Sequence, residues 1–373
     1  MRINSLTLLN FRNYEHLHVK FDDKLNLIYG KNGSGKTNLI EAIYVLFLTR
    51  SFRISNKKNL ITFSKDSARV EGDIEKKSAY NYRVYLTKEG KTVKINGEKI
   101  KKISDYITNI ALVLFHPDDL KFIKDAPSTR RKTLNISISL IDISYLRALN
   151  QYQTLLKQRN AYLRQMAIDS TQPSDYLNIL TTKLIEFGYE IYQKRLDFIT
   201  NMQKYIADVY KKITDLDNLE LLYHSQYDKL SKEQILELYN KNFEKDLKFG
   251  KTNVGIHMDD LCFLLNGKDL KDYGSEGQQK NAIIAYKFSE LEIFKEKTGN
   301  YPLLILDDLF SELDVEKIEH ILELLKPDVQ TFITTTELNT LDFLKKFSYK
   351  ELEINNGQVV KESNHGKWKS WTL

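Results

Sequence analysis

The chain has 373 residues, 42% of them hydrophobic and 28% charged, with a formal net charge of +6. Such values belong to a soluble globular protein long enough to bury a substantial core, as two domains or as one with an insertion. Its single cysteine, Cys262, excludes an intramolecular disulfide and a cysteine-built metal site, while the small cationic excess permits an anionic partner without requiring one.

The opening stretch MRINSLTLLNFRNYEH has too short an apolar run for a signal peptide. The longest apolar runs, such as residues 110–115, fall short of the ~20 residues of a membrane span. A soluble, cytoplasmic protein is expected, with no membrane partner. Residues 6–11 and 25–29 read as strands and 37–49 as a helix. Residues 68–75, 80–87 and 92–100 alternate with period two, and Asn96-Gly97 marks a hairpin turn between TVKI and EKI. Residues 110–115 read as a buried strand ending at His116-Pro117.

The middle of the chain changes character. Leu149, Leu156 and Leu163 recur at seven-residue spacing, and Leu177, Leu180, Leu184, Phe187, Ile191, Phe198, Met202 and Val209 follow a 3-4 pattern. The break at 169–175, DSTQPSD, is a turn signal. Residues 144–213 therefore read as a helical hairpin, whose stripes are either core-facing surfaces or the seam of a protruding arm. The last third returns to α/β. Residues 301–310 hold an apolar strand ending in two aspartates, 315–326 are helical, 329–336 form a strand and 349–362 a terminal hairpin. The sheet is thus assembled from both ends of the chain.

Three stretches carry chemistry. Gly30-Lys31-Asn32-Gly33-Ser34-Gly35-Lys36-Thr37 matches G-x-x-x-x-G-K-[ST] between a strand and a helix. Its glycines let backbone N–H groups face phosphate oxygens at a helix N-terminus. Lys36 places a charge on the β/γ phosphates and Thr37 offers a hydroxyl to Mg²⁺. In Leu303-Leu304-Ile305-Leu306-Asp307-Asp308, Asp307 emerges at the strand end near that Mg²⁺. Asp308 is placed to orient or activate the attacking water, or to cap the following turn. In YGSEGQQK, residues 273–280, Ser275 and Gln278 have capping-box spacing at a new helix start, with Gly277 in the first turn. That stretch is either an ordinary cap or a γ-phosphate sensor.

Taken in this order, GKNGSGKT, SEGQQ and LLILDD, the last followed by Ser311-Glu312-Leu313-Asp314, resemble the ATPase heads of the ABC class, in its SMC-like branch. Within that branch the chain is similar to the RecF family. The likeness extends through LxLxNFRNY (6–14), RSFR (50–53), FHPDDL (115–120), APSTRRKTL (126–134), YQTLLKQRN (152–160) and HMDDLCFLLNG (257–267). It implies an α/β fold, an ABC-type P-loop ATPase head with a mixed sheet. Lobe I would comprise 1–118 and 301–373, with a largely helical second lobe, 119–300, inserted between them. It also implies ATP held between two copies, with Ser275, Gly277 and Gln278 completing the partner's site and Asp314 in the loop that crosses the interface. The implied function is a weak, DNA-stimulated ATPase of recombinational and replication-gap repair. ATP joins a homodimer on gapped or linear DNA, and the protein acts with RecR, RecO and RecA.

Three departures stand out. Transport ATPases usually have Glu where Asp308 stands and a His after the strand at 329–333, where this chain has Thr334, Thr335 and Thr336. A shorter acid and a missing His imply slow hydrolysis. RecF-like chains often carry an acid where Asn135 stands. DNA-binding candidates are two basic clusters, Arg50, Arg53, Lys57 and Lys58, and Arg130 and Arg131 with Lys132; each is also readable as a solvated surface. The seven histidines show no metal-ligand spacing. A transporter's ATP-hydrolysing subunit, an SMC-type tether and a small-molecule kinase are alternatives. The DD pair, the short helical arms and the stretch at 275–278 respectively count against them.

Overall fold

A computed structural model of the chain describes residues 1–54, 56–76, 78–102, 106, 111–169, 171–214, 218–336, 344 and 346–366; the side chains of Lys57 and Glu312 lie outside that description. Residue 110 of the expected strand at 110–115 is also outside it. The chain divides into two compact units. The first comprises Met1–Asp119, Lys212–Thr214 and Glu290–Leu373, and the second Leu120–Lys211 and Asp215–Ser289.

The first unit holds two six-stranded sheets. One is antiparallel, built from β1 (Arg2–Phe11), β2 (Tyr14–Lys20), β4 (Ser67–Glu75), β5 (Ala79–Thr87), β6 (Lys91–Ile95) and β7 (Glu98–Lys99), in the order β2-β1-β4-β5-β6-β7. The other contains β3 (Leu25–Tyr29), β8 (Leu112–Phe115), β12 (Leu303–Leu306), β13 (Thr331–Thr335), β14 (Tyr349–Asn355) and β15 (Gln358–His365). Its order is β15-β14-β3-β13-β12-β8, parallel throughout except for the antiparallel edge strand β15. Every residue of β3, β12 and β13 is buried, as a parallel sheet covered on both faces requires.

Helix α1 (Lys36–Leu48) is buried on all sides from Leu39 to Leu48 and touches strands of both sheets. It lies so close to the antiparallel sheet that a Cβ on Gly72 would fall 2.5 Å from a Leu46 methyl group. A helix without a polar face is expected where both flanks are covered. Its one internal carboxylate, Glu41, is fully buried and held by Arg12 (2.7 and 2.9 Å) and the Ser51 hydroxyl (2.5 Å). Gln330 joins the sheets by accepting from the Ile3 N–H and donating to the carbonyls of Ile3 and Asp22.

In the second unit, α3 (Ile143–Ile168) and α4 (Ser174–Thr214) form the expected antiparallel hairpin. Its rungs are Tyr162 against Tyr176, Arg159 against Thr181, and Arg195 against Tyr145. Leu149, Leu163, Leu177, Leu180, Leu184, Ile191, Phe198 and Met202 are buried, so these stripes face a core. This unit is largely helical, as expected, and also holds strands that the sequence did not suggest. Beside the hairpin, α2 (Pro127–Ile141), α5 (Lys232–Lys241) and α6 (Phe243–Phe249), it contains an antiparallel sheet in the order β11-β10-β9, formed by β9 (Leu219–His224), β10 (Asp260–Leu265) and β11 (Lys268–Asp269).

Three arginines pin the second unit. Arg159 bonds Asp246 (2.8 Å) and Arg195 bonds Asp259 (2.7 Å), all four side chains being at most 2% exposed. Arg130, 3% exposed, holds Asp260 with two bonds and the carbonyls of Phe122, Ile123 and Asp125. Asn135 accepts from Arg195 (3.0 Å) and Tyr145 (2.5 Å), so a neutral amide completes that guanidinium's bonding. Removing one member of a buried pair leaves the other charge stranded, which typically costs about 3–5 kcal/mol. Arg195→Ala is therefore expected to lower the urea stability of the full chain by about that amount, with Arg195→Met/Asp259→Leu recovering most of it. A loss under about 1 kcal/mol for the single variant would show that the pair does not pin the unit.

Candidate nucleotide site

The site begins with strand register. Phe115 pairs with Leu306, and Leu306 with Ile333, across three parallel neighbours. The residues that follow, His116, Asp307 and Thr334, therefore stand side by side at the strand ends. Thr335 pairs with Tyr29, so the loop that starts at Gly30 leaves from the next strand along. Strand carboxyl ends of this kind are where open α/β sheets hold their ligands.

Asp307 is 1% exposed. Its Oδ1 accepts from Thr334 Oγ1 (2.7 Å) and Thr37 Oγ1 (3.3 Å), and Oδ2 lies 3.7 Å from His116 Nε2. Burial raises its carboxyl above the ordinary range, opposed by the Thr334 bond, the charge of His116, the Thr37 bond and the charge of Arg53. Asp308 follows with a left-handed φ of 50°, its N–H donating to Thr334 Oγ1 at 2.8 Å. Left-handed backbone at a residue other than glycine is uncommon and clusters at functional sites.

In the loop, Lys36 Nζ lies on the carbonyls of Gly30 (2.7 Å) and Lys31 (3.1 Å). Burial lowers its pKa, opposed by Asp308 and Asp307. Only glycine fits at two positions. A Cβ at Gly30 would sit 2.3 Å from the Ile354 carbonyl, and one at Gly35 (φ 120°) would sit 2.7 Å from Asn13 Nδ2. Ser34 Oγ is buried with no hydrogen-bond partner among the described residues, which leaves a polar atom available to a ligand. Residues 31–33 are exposed.

A hydrogen-bonded chain runs outward from the loop. Asn13 Nδ2 donates to Ser34 O, Asn38 Nδ2 to Asn13 Oδ1, and Arg53 Nη1 to Asn38 Oδ1. Arg12, Asn13, Asn38, Arg53, Lys58 and Lys65 all line one cavity of about 680 Å³. Two of the DNA-binding candidates, Arg53 and Lys58, thus share a cavity wall with residues bonded to the loop. Arg50 is exposed at the end of α1, and the Lys57 side chain lies outside the described residues.

Several other candidates from the sequence belong to the second unit. The capping box forms at the start of α8 (Glu276–Thr298): Ser275 N–H donates to Gln278 Oε1 (2.9 Å) and Gln278 N–H to Ser275 Oγ (3.2 Å). A Cβ at Gly277 would meet nothing within 4 Å, and Gln279 ties the preceding short helix α7 (Leu270–Tyr273) by donating to Leu270 O and Gly274 O. Arg130, expected as a DNA contact, is instead 3% exposed, with its guanidinium engaged by Asp260 and the carbonyls of Phe122, Ile123 and Asp125. Arg131 is half-buried and donates to Asp259 O at 2.6 Å. Asp314, in the first unit, caps α9 (Val315–Glu323) by accepting from Lys317 N–H (3.0 Å).

Sequence reading did not single out His116, Asn38 or the turn at Gly357. For His116 a signal existed: it directly follows an apolar strand, which places it level with the aspartate that ends the neighbouring one. Among the described residues no cluster of three His, Cys, Asp or Glu side chains is placed to hold a metal alone. The Thr37 hydroxyl and the Asp307 carboxylate offer oxygen donors only, a partial set that suits a hard cation whose shell is completed by phosphate and water. No helix among the described residues is long and apolar enough to cross a membrane.

Comparison with known proteins gives a consistent answer. The model of the RecF/RecN/SMC N terminal domain matches residues 2–353. The DNA replication and repair protein RecF of Bacillus subtilis is 37% identical, over 97% of this chain and 100% of that protein. The RecF of Ligilactobacillus salivarius is 36% identical over 98% of each. A solved structure of the recombination mediator protein RecF with ATP, from the RecFOR pathway, superposes with a TM-score of 0.88 at 32% identity, covering 98% of each chain. An SMC head bound to the C-terminal winged-helix domain of ScpA gives a TM-score of 0.57 at 14% identity over 98% of this chain and 97% of that one, a likeness of fold alone. The chain belongs to the RecF family, ABC-type ATPases of DNA repair.

Proposed function

We propose that the chain is an ATP-switched DNA clamp. Two copies close on ATP, the closed dimer grips DNA at a single-strand gap, and slow hydrolysis releases it. In this reading the first unit is lobe I and the second, inserted unit is lobe II. The observation that carries it is the convergence of loop 30–37, Thr37, Asp307 and Thr334 at adjacent parallel strand ends.

Loop 30–37 receives the phosphates of ATP, with Lys36 leaving its carbonyl partners for the β/γ oxygens. The cavity edged by Asn13 and Asn38 receives the nucleoside end, with Arg53 and Lys58 on its wall. Thr37 and Asp307 would hold Mg²⁺, which neutralises charge on the transferring phosphoryl group when bound. Asp307 is 1% exposed, and a bound cation would offset the cost of burying its charge. Asp308 orients the attacking water.

A capped helix start with an open Gly277 is suited to a second phosphate contact, and we assign Ser275, Gly277 and Gln278 to the partner copy's ATP. Asp314 lies at the contact between copies. Arg50, Arg131 and Lys57 remain candidates for DNA phosphates. The RecFOR pathway named for a solved relative supports a place beside RecR and RecO, and we assign to the chain a part in delivering RecA to gapped DNA.

Sedimentation tests the clamp. Mg-ATP should convert the wild type to a dimer that retains gapped duplex. Lys36→Arg and Ser275→Arg should both stay monomeric, although Ser275→Arg still binds ATP. Normal dimerisation by Ser275→Arg would reduce the 273–280 stretch to a helix cap and remove the clamp's support.

Asp307→Asn tests the cation site. A carboxyl whose folded pKa lies above its unfolded value loses stability on ionisation; that loss is complete above the folded pKa and is recovered as pH falls through it. Asparagine keeps the oxygen that accepts from Thr334 but carries no charge. We expect a thermal midpoint at neutral pH higher by about 2 °C or more, with ATP hydrolysis slowed at least about 100-fold. An unchanged hydrolysis rate would place the metal elsewhere.

A further inference from the structure

We infer that the turn of the last hairpin, Asn355-Asn356-Gly357, is a positioning element for the nucleotide loop and acts through the Ser34 carbonyl. The inference rests on the reading of loop 30–37 as the phosphate cradle.

A cradle of backbone N–H groups works only if its peptide planes are turned the right way. In a trans peptide, the carbonyl of one residue and the N–H of the next point in opposite directions. Whatever holds a carbonyl outside the loop therefore aims the following N–H inward. Ser34 O accepts from Gly357 N–H at 2.9 Å and from Asn13 Nδ2 at 3.2 Å. These two donors fix the plane that carries the Gly35 N–H. Tyr14 donates to Gly35 O at 3.0 Å and does the same for the Lys36 N–H.

The turn reaches the loop because of register. β14 runs parallel to β3, with Glu353 opposite Tyr29, so the turn after Asn355 emerges where Gly30 begins. The approach is backbone to backbone. A Cβ on Gly357 would lie 2.2 Å from Asn13 O, and one on Gly30 would lie 2.3 Å from Ile354 O. Asn356 (φ 47°) and Gly357 (φ 75°) form the Asn-Gly turn that allows it.

The chain contains its own control. Asn96 (φ 50°) and Gly97 (φ 85°) make a turn of the same kind between β6 and β7, where an added Cβ meets nothing within 4 Å. Gly357→Ala and Gly97→Ala thus share the strain of a left-handed alanine, and only the first disturbs the nucleotide loop.

The experiment measures ATP affinity by titration calorimetry on full-length wild type, Gly357→Ala, Gly97→Ala and Lys36→Ala, with thermal midpoints alongside. The expected result is a Kd raised about tenfold or more in Gly357→Ala, the value of one hydrogen bond, and changed less than about twofold in Gly97→Ala. Equal losses in both glycine variants, or wild-type affinity in Gly357→Ala, would overturn the positioning role. If Lys36→Ala binds ATP as the wild type does, the cradle reading itself fails. If Lys36→Ala loses ATP while Gly357→Ala keeps it, the positioning role alone fails. Should Gly357→Ala not fold, amide exchange in the wild type decides. Mg-ATP should slow exchange of the Gly357 N–H by about tenfold or more while leaving Gly97 unaffected, and an unchanged Gly357 would overturn the inference.

Discussion

Asp307 is a carboxylate at 1% exposure at the end of a wholly apolar strand, a placement that is unfavourable unless charge and hydrogen bonds compensate it. Much of the first unit is arranged around it. Thr334 and Thr37 donate to one oxygen, and His116 stands near the other. Lys36 lies in its field. Those groups come from three different strand ends or loops, which the parallel sheet brings to one level. The same burial that penalises the free carboxylate makes it a strong partner for a cation, since charges attract more in a dry site than in water.

The nucleotide loop is held to this sheet from outside. Its carbonyls face Asn13, Tyr14, Gly357 and its own lysine, and the helix it opens is enclosed by two sheets. Glu41 on that helix bonds Arg12 and Ser51, and Ser51 Oγ accepts the N–H groups of Arg53 and Ile54. The cationic wall of the cavity is thereby set by the helix that follows the phosphate loop. One rigid element fixes both.

Local patterns made much of this legible. Loop 30–37, the apolar run before Asp307 and the capping box at Ser275 are short-range signals, and each forms as its residue types dictate. The helical hairpin was readable from its stripes. What escaped either has a weak local pattern or depends on partners distant in sequence. β2 is half exposed and carries Glu15, His16 and His18 between its apolar positions, which weakens the alternation. β9 and β10, with 35 residues between them, pair from Leu219 with Leu265 to His224 with Asp260, and no hairpin signal joins those two strands. Arg130 sits in a run that reads as a basic patch, and only the tertiary fold brings Asp260 to it. Gly357 carries a turn signature, yet its contact with Ser34 follows from strand order, which a single sequence does not display.

The departures at Asp308 and Thr334 acquire a physical meaning from the same register. Thr334 Oγ1 donates to Asp307 and accepts from the Asp308 N–H, so one hydroxyl sets both acids. A hydroxyl carries no charge, and in that position it cannot supply the cationic contact that an imidazole gives. The imidazole that does stand beside Asp307 is His116, which follows β8, the neighbour on the opposite side of β12 from Thr334. Asp308 is also one methylene shorter than the glutamate of transport ATPases, and its backbone is held in a left-handed conformation by the bond to Thr334. In the proposed reading, a short Asp308 and a neutral Thr334 make a site that binds ATP better than it turns it over. That balance suits a protein whose ATP-bound state, rather than its rate of hydrolysis, does the work.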